Sequence, residues 1–213
     1  MSLEVITLTR GTRPEWLREC IRSIDLGDHL VHTCPDDFEA GRWETTYGSK
    51  AKYVAWVDDD DRVMPGALAK CVEALEATGA AMAFTDEAHI DANGDRLRLS
   101  SNRPRSRRDL AMHPRSVHHL SVFRVAALDP IVRTHAKRIG IGTCWLIRAH
   151  AGLVHKAVHV PIVGYEWRMH PGQDTKDIDF ADAYARAMPA LREVTRLWMG
   201  PLDAQIRQFG ATT

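Results

Sequence analysis

The sequence predicts an α/β fold, with a single domain built around a mostly parallel central sheet. The chain has 213 residues, 45% of them hydrophobic, which is enough for one sizeable core and too little for two comfortable domains. Strand-like and helix-like segments alternate from residue 4 to residue 85, and such alternation with short connections is typical of parallel sheets. The apolar run Tyr53–Val57 has the composition of a strand that is covered on both faces.

The individual elements follow from local patterns of apolar residues, prolines and glycines. Strands are predicted at Glu4–Thr9, His29–Thr33, Tyr53–Val57 and Ala81–Thr85, and helices begin at Pro14 and at Pro65, the second ending at Gly79. Ala92–Asp95 has the composition of a hairpin tip. We expect an exposed loop or arm at Arg96–Arg115, strands within Val117–Val125 and Val154–Val163, and a closing helix at Ile178–Met199.

Composition excludes several classes of protein. Lys+Arg and Asp+Glu both number 28, so net charge does not indicate a polyanionic partner. The sequence has neither a basic and apolar leader nor a run of about eighteen apolar residues, so we expect a cytoplasmic protein. The cysteines at positions 20, 34, 71 and 144 are scattered, which favours buried reduced thiols over a zinc site or a disulfide framework.

The strongest chemical signal is the run of four aspartates, Asp58–Asp61, at the end of the third predicted strand. Ligands of parallel sheets collect at the carboxyl ends of strands. Four adjacent carboxylates repel one another unless a cation neutralises them, and residues two apart point to the same side, so Asp58 and Asp60 can share Mg²⁺ or Mn²⁺. The alternative is a solvated acidic turn that caps the following helix.

Several ordered motifs resemble family 2 glycosyltransferases of the GT-A fold, a Rossmann-like fold of the nucleotide-diphospho-sugar transferase superfamily. The segment Tyr53–Leu68 looks like that family's DxD segment. The segments Thr7–Leu17, Phe84–Gly94, His118–Arg124 and Val158–His170 resemble the family's nucleotide loop, its Asp-Glu hairpin and its later strands. The resemblance spans roughly residues 4 to 176.

This resemblance implies an enzyme that uses a nucleotide-sugar donor, a UDP-sugar, together with Mn²⁺ or Mg²⁺. It divides the single domain, residues 1–213, into a nucleotide-binding half at about 1–90 and an acceptor-side half at about 91–213. Asp58, Asp60 and His170 would bind the metal, and Trp167 and Arg168 would support the diphosphate side or pack. The donor would contact residues of the nucleotide loop and of two aspartate clusters: Thr9, Arg10, Arg13, Asp36, Asp37, Asp58 and Asp59.

The pattern breaks at the catalytic base. An inverting member of the family has a carboxylate base where this sequence reads Gly140–Arg148, a stretch without any carboxylate and with Thr143 near the expected place. Three interpretations stay open. Asp86, Glu87, His118 or His119 serves as the base; the enzyme retains anomeric configuration and the donor phosphate takes the proton; or the protein binds a nucleotide sugar or nucleic acid without turnover.

The acceptor is indicated by the segment Arg96–Arg115, which has seven arginines against one acid, Asp109. Guanidinium groups suit phosphates, and the chain resembles in outline the small phage-type enzymes that glycosylate hydroxymethylated bases in DNA. The predicted acceptor-binding residues are Arg103, Arg105, Arg107 and Arg108, and a phage origin would place the protein in the host cytoplasm. The competing acceptors are a lipid-diphosphate or cell-envelope glycan and a protein or small molecule, and a solvated basic loop is the alternative without function.

Overall fold

The described strands form one eight-stranded sheet. The computed structural model describes residues 2–33, 38–101, 104, 109–110, 116–128, 148, 150–151, 156–173, 185 and 189. The predictions at Asp36, Asp37, Arg103, Arg105, Arg107, Arg108 and Thr143, and nearly all of the helix predicted at Ile178–Met199, lie outside these residues. Within them, no helix is long and apolar enough to cross a bilayer.

The amino-terminal part of the chain alternates between strand and helix, as predicted. The elements are β1 at Leu3–Thr9, α1 at Pro14–Ser23, β2 at Asp28–Thr33, α2 at Phe38–Gly48 and β3 at Tyr53–Trp56. Pro14 opens α1, where its fixed φ and missing N–H cost nothing. The helix α2 was not predicted, because its glycines and threonines have low helix propensity.

The remaining elements differ from the prediction in their bounds. They are β4 at Arg62–Val63, α3 at Ala67–Thr78, β5 at Met82–Ile90, β6 at Arg96–Ser100, β7 at Ser121–Arg124 and β8 at Ala157–Arg168. The helix α3 begins two residues after Pro65 because Gly66 takes a left-handed conformation, with φ of 74°. The Gly94 turn joins β5 to β6 as a hairpin, so the start of the predicted exposed arm is a strand.

The sheet is mixed rather than mostly parallel. Its order is β2-β1-β3-β7-β5-β8-β4, with β6 paired to β5. Strand β1 is parallel to β2 and β3, and β5 is parallel to β8. Strand β7 lies antiparallel between β3 and β5, and β4 and β6 are also antiparallel to their neighbours. Because β6, β7 and β8 come from the second half of the chain, the two predicted halves share one sheet.

Apolar side chains from the strands and from two helices form the core. Tyr53, Val54, Ala55 and Trp56 of β3 are all buried, as a strand covered on both faces requires. On one face, Leu68, Cys71, Val72 and Leu75 of α3 and Cys20 of α1 pack against the sheet. Cys20 and Cys71 are free and buried thiols, which agrees with the prediction for these two cysteines. The packing holds the carboxyl ends of β1 and β3 side by side.

Candidate active site

The four aspartates form a turn at the carboxyl end of β3. The Asp61 N–H donates to the Asp58 carbonyl at 3.2 Å, and this bond closes a four-residue turn. The turn directs the four carboxylates to four different sets of partners. Asp58 and Asp60, which were predicted to share one metal ion, therefore contact different side chains of the protein.

Asp59 faces the end of β1. The Thr9 hydroxyl donates to the Asp59 carboxylate at 2.5 Å and accepts from the Gly11 N–H at 2.9 Å. Thr9 was one of the predicted donor-binding residues. Arg10, another of them, follows it at an exposed position. The contact between Thr9 and Asp59 fixes the predicted nucleotide loop to the aspartate turn.

Asp60 faces the turn that follows β8. The His170 Nε2 lies 2.8 Å from the Asp60 Oδ2, and the Arg13 guanidinium lies 3.8 Å from the same oxygen. Arg13 also donates to the Gly172 carbonyl. The Trp16 ring packs beside both side chains, 4.7 Å from the His170 ring centroid and 5.6 Å from the Arg13 guanidinium carbon. The structure thus brings together Asp60, His170 and Arg13, which were all predicted site residues.

Asp58 faces α2 and the segment before β7. It forms an ion pair with Arg42, and the His119 Nε2 lies 3.4 Å from its Oδ2. The Asp58 N–H donates to the Tyr165 hydroxyl at 3.1 Å. Sequence reasoning missed Arg42 and Tyr165, because Arg42 lies on the unpredicted helix and Tyr165 has the pattern of a core residue.

Asp61 faces the protein interior and has a structural role. Its Oδ1 accepts from the Arg168 N–H at 2.7 Å. The Arg168 side chain is buried, and its guanidinium donates to the Asp60 carbonyl at 2.7 Å, to the Ala92 carbonyl at 3.0 Å and to Glu19 at 2.6 Å. Arg168 therefore fixes the aspartate turn, the hairpin and α1 to one another, while its donors point to protein acceptors. No motif predicted the participation of Glu19.

A second cluster surrounds Glu87 on β5. The Glu87 carboxylate contacts His118 Nδ1 at 2.9 Å through Oε2 and His89 Nε2 at 3.1 Å through Oε1. The His118 ring is 4.5 Å from the ring of His119, which in turn contacts Asp58. The cluster therefore connects to the aspartate turn, and it unites three of the four predicted base candidates.

Asp86, the fourth base candidate, belongs to a different group. Its Oδ1 accepts from His159 Nε2 at 2.9 Å and from the Ser101 hydroxyl at 3.2 Å. The His159 ring packs on Phe84 at 5.3 Å. These contacts share no residue with the cluster around Glu87.

The pKa values of the aspartates are shifted in different directions by burial and by neighbouring charges. Burial, followed by the charge of Asp58, raises the pKa of Asp60. Burial, followed by the charges of Asp60 and Asp58, raises the pKa of Asp61 well above its usual value. Burial also opposes ionisation of Asp58, yet Arg42 and His119 hold the pKa of this carboxyl well below its usual range. The turn thus contains a firmly ionised Asp58 beside carboxyls that resist ionisation until a cation approaches.

The donor set at Asp60 fits a hard divalent cation only in part. Among the residues that the structure describes, no group of three or more His, Cys, Asp or Glu side chains is close enough to hold a metal ion. Asp60 and His170 form a pair of an oxygen and a nitrogen donor. Mg²⁺ commonly uses one or two carboxylates and takes its other ligands from substrate phosphates and water. The pair fits a metal that binds together with a diphosphate.

One protein-family model matches part of the chain. The family model described as "Glycosyl transferase family 2" matches residues 46–150, a range that includes the aspartate turn, Glu87 and His118. No curated protein sequence matches the chain.

Several solved structures have a similar fold. The S. aureus TarS 1-349 structure in complex with UDP-GlcNAc has a TM-score of 0.67 at 10% identity, over 92% of this chain and 67% of that chain. A second structure of S. aureus TarS 1-349 has a TM-score of 0.58 at 11% identity, over 79% of this chain and 60% of that chain. A longer S. aureus TarS structure has a TM-score of 0.56 at 11% identity, over 92% of this chain and 44% of that chain. This chain therefore spans 60% of the second TarS 1-349 structure, less than two thirds of its length.

The mixed sheet, with the aspartate turn at the end of β3, has the GT-A fold. The matching family model adds the sequence evidence. The sequence similarity to glycosyl transferase family 2 covers residues 46–150, just under half of the chain.

Proposed function

We propose that the chain transfers a sugar from a UDP-sugar to an acceptor hydroxyl. One observation carries this proposal. Asp60, His170 and Arg13 converge at the carboxyl ends of β1 and β3, where ligands of such sheets bind. The Arg13 guanidinium would bind the diphosphate, and the Thr9–Asp59 contact would position the nucleotide loop.

The metal of this site would be Mn²⁺ or Mg²⁺, held by Asp60 and His170 with Asp58 nearby. Such a cation neutralises the charge that develops on the leaving diphosphate. Arg13, which also contacts Asp60, would bind phosphate oxygens of the same diphosphate through its guanidinium. Arg42 keeps Asp58 ionised and oriented.

Calorimetric titration with UDP, with and without Mn²⁺, tests the donor site. Asp60→Asn should abolish the Mn²⁺-dependent part of UDP binding. His170→Ala should weaken it less, because the carboxylate supplies the negative charge. Asp95→Asn removes the same charge from an exposed position in the β5–β6 turn and serves as the matched control. An unchanged UDP affinity in Asp60→Asn would refute the metal assignment.

Turnover separates an enzyme from a binding module. The wild-type protein with Mn²⁺ should slowly hydrolyse at least one member of a panel of UDP-sugars, with water in place of the acceptor. UDP release is measured by a coupled assay or by mass spectrometry. Binding of UDP-sugars without hydrolysis or transfer would favour the module that binds a nucleotide sugar without turnover.

We further propose a hydroxymethylated base in DNA as the acceptor, in a cytoplasmic setting where DNA and UDP-sugars meet. The support is the arginine content of residues 96–115. Arg96 and Arg98 contact Glu166 and His89 within the chain. The proposal therefore depends on the arginines at 103, 105, 107 and 108, which lie outside the described residues. A glycan on a lipid diphosphate offers the same phosphate chemistry and is the second candidate.

Salt dependence of DNA binding tests this acceptor. If the arginines neutralise phosphates, log affinity should fall with log salt by roughly 0.9 for each contact. Replacing Arg105, Arg107 and Arg108 together by alanine should reduce that slope by about two to three, while UDP affinity stays unchanged. A wild-type protein that does not bind DNA at low ionic strength would refute the DNA acceptor and favour the phosphorylated glycan carrier.

A further inference from the structure

The hydrogen bonds around Glu87 determine where the protons of two histidines lie. Arg98 donates through Nε to His89 Nδ1 at 2.9 Å. Since a guanidinium cannot accept, His89 Nδ1 must be the acceptor and His89 Nε2 must carry the proton. His89 therefore donates through Nε2 to Glu87 Oε1, at 3.1 Å.

The same reasoning continues to His118. The His118 side chain contacts the other oxygen of Glu87 through Nδ1, at 2.9 Å. Burial opposes ionisation of Glu87, yet the hydrogen bonds and charges of His118, His119 and His89 together outweigh it and lower the pKa of this carboxyl. An ionised carboxylate only accepts, so His118 Nδ1 carries the proton. His118 Nε2 is then the nitrogen with a free lone pair.

The position of His118 suits a reacting group. Its side chain is 32% exposed, whereas those of Glu87 and His119 are 5% and 4% exposed. Its ring meets Trp167 edge to face at 5.1 Å and His119 at 4.5 Å, which limits its rotation. No contact of His118 Nε2 is found among the described residues. Through His119, which faces Asp58, the His118 ring is connected to the aspartate turn.

We infer that His118 is the catalytic base of the proposed transfer and that Glu87 is its positioning residue. This inference rests on the proposed function and supplies the base that is missing from Gly140–Arg148. Glu87 holds the imidazole in the tautomer with Nδ1 protonated and stabilises the imidazolium that forms. His89 and Arg98 hold Glu87 in place.

The chemical step follows from this geometry. His118 Nε2 takes the proton of the acceptor hydroxyl while the acceptor oxygen forms a bond to the anomeric carbon of the donor. The bond between that carbon and the β-phosphate oxygen breaks, and UDP leaves with the electron pair. Attack from the face opposite UDP inverts the anomeric configuration.

The other candidates suit the role less well. Both Glu87 oxygens have histidine partners, and the buried His119 faces Asp58. Asp86 belongs to the separate group with His159 and Ser101. Among the four base candidates, His118 combines a fixed orientation, exposure and a free lone pair.

The tautomer of His118 can be measured without any substrate. Long-range ¹H–¹⁵N correlation spectra of the wild-type protein at neutral pH should show His118 protonated at Nδ1 and unprotonated at Nε2. In Glu87→Gln, the fraction protonated at Nε2 should rise, because the side-chain amide also offers a donor. A wild-type His118 with its proton on Nε2 would overturn the inference.

Kinetics test the role in the reaction, with UDP-GlcNAc and UDP-glucose as donors and water as acceptor. His118→Ala should lower kcat by about 10²-fold, with the calorimetric affinity for UDP unchanged, and added imidazole should restore part of the rate. His159→Ala removes a histidine with the same 2.9 Å contact to a carboxylate and should retain wild-type turnover. Full turnover in His118→Ala, or a loss explained by weaker UDP binding, would overturn the inference.

Failure of the wild-type protein to hydrolyse any UDP-sugar would instead contradict the proposed function. The tautomer measurement would still decide the orientation of His118.

Discussion

Replacing Arg168 by methionine removes the guanidinium that joins the aspartate turn to the hairpin and to α1. The side chain is 1% exposed, and its donors reach two carbonyls, those of Asp60 and Ala92, and the carboxylate of Glu19. Methionine keeps most of the buried apolar volume, so the loss is mainly one of hydrogen bonds and charge. We expect the variant to fold with reduced stability.

The magnitude follows from the three acceptors. Each hydrogen bond to a charged group contributes about 1.5–3 kcal/mol. Taken at the lower end, about 1.5–2 kcal/mol each, the two carbonyls together account for about 3–4 kcal/mol. The Glu19 side chain is 39% exposed, so solvent screening limits its ion pair to less than about 1 kcal/mol. The Trp16 ring, 5.2 Å from the guanidinium carbon, adds roughly 0.5 kcal/mol. We expect a total loss of about 4 kcal/mol, a large part of the 5–15 kcal/mol typical of a domain.

Urea unfolding, followed by tryptophan fluorescence and far-ultraviolet circular dichroism, measures this loss. With an m-value of about 2 kcal/mol/M, the midpoint of Arg168→Met should fall by about 2 M. Arg168→Lys keeps the charge but cannot reach all three acceptors, so it should lose about half as much. Arg18→Met removes an exposed arginine with an i,i+3 contact and should cost under about 0.5 kcal/mol. A loss below about 1 kcal/mol in Arg168→Met would refute this account.

Three other predictions concern the core and Glu87. Gly164→Ala should destabilise the protein by about 1–3 kcal/mol in the same urea assay, because the new Cβ would lie 2.5 Å from a threonine hydroxyl oxygen; Gly48→Ala, with open space around it, is the control. Burial raises the pKa values of Cys20 and Cys71 to about 12. In a variant whose other two cysteines are serine, a thiol reagent at pH 8 should therefore react only after unfolding, and rapid reaction in the native state would contradict their burial. Histidine contacts hold the pKa of Glu87 below its usual value, so its ionised form stabilises the fold above about pH 4.3. This contribution should disappear as the pH falls below that value, and Glu87→Gln should flatten the corresponding part of the curve of unfolding free energy against pH.

The sequence alone determined the local elements with strong patterns. The apolar runs of β1 and β3, Pro14 at the start of α1 and the glycine turn of the β5–β6 hairpin are local signals, and the structure confirms them. The aspartate run was also placed correctly at a strand end, because composition alone separates it from the buried strand before it. The resemblance of the motifs to family 2 glycosyltransferases agrees with the matching family model.

Only the tertiary structure decided the direction of several strands and the identity of several partners. Alternation of strand and helix predicts parallel neighbours, yet it cannot show that β7 inserts antiparallel between β3 and β5. Arg96–Ser100 has the composition of an exposed arm and becomes a strand because β5 offers unpaired backbone groups beside it.

In the candidate active site as well, the sequence indicated candidate residues, whereas their contacts depend on the tertiary structure. Local pattern named Asp58–Asp61, Glu87 and His118 as candidates, but it did not indicate that the turn separates the carboxylates or that Glu87 holds His118 by Nδ1. Glu19 and Arg168 are 149 residues apart in the chain and meet at 2.6 Å. Such contacts depend on how the sheet packs its helices, because a buried charge must find its partner in space, and the sequence carries no local signal of that partner.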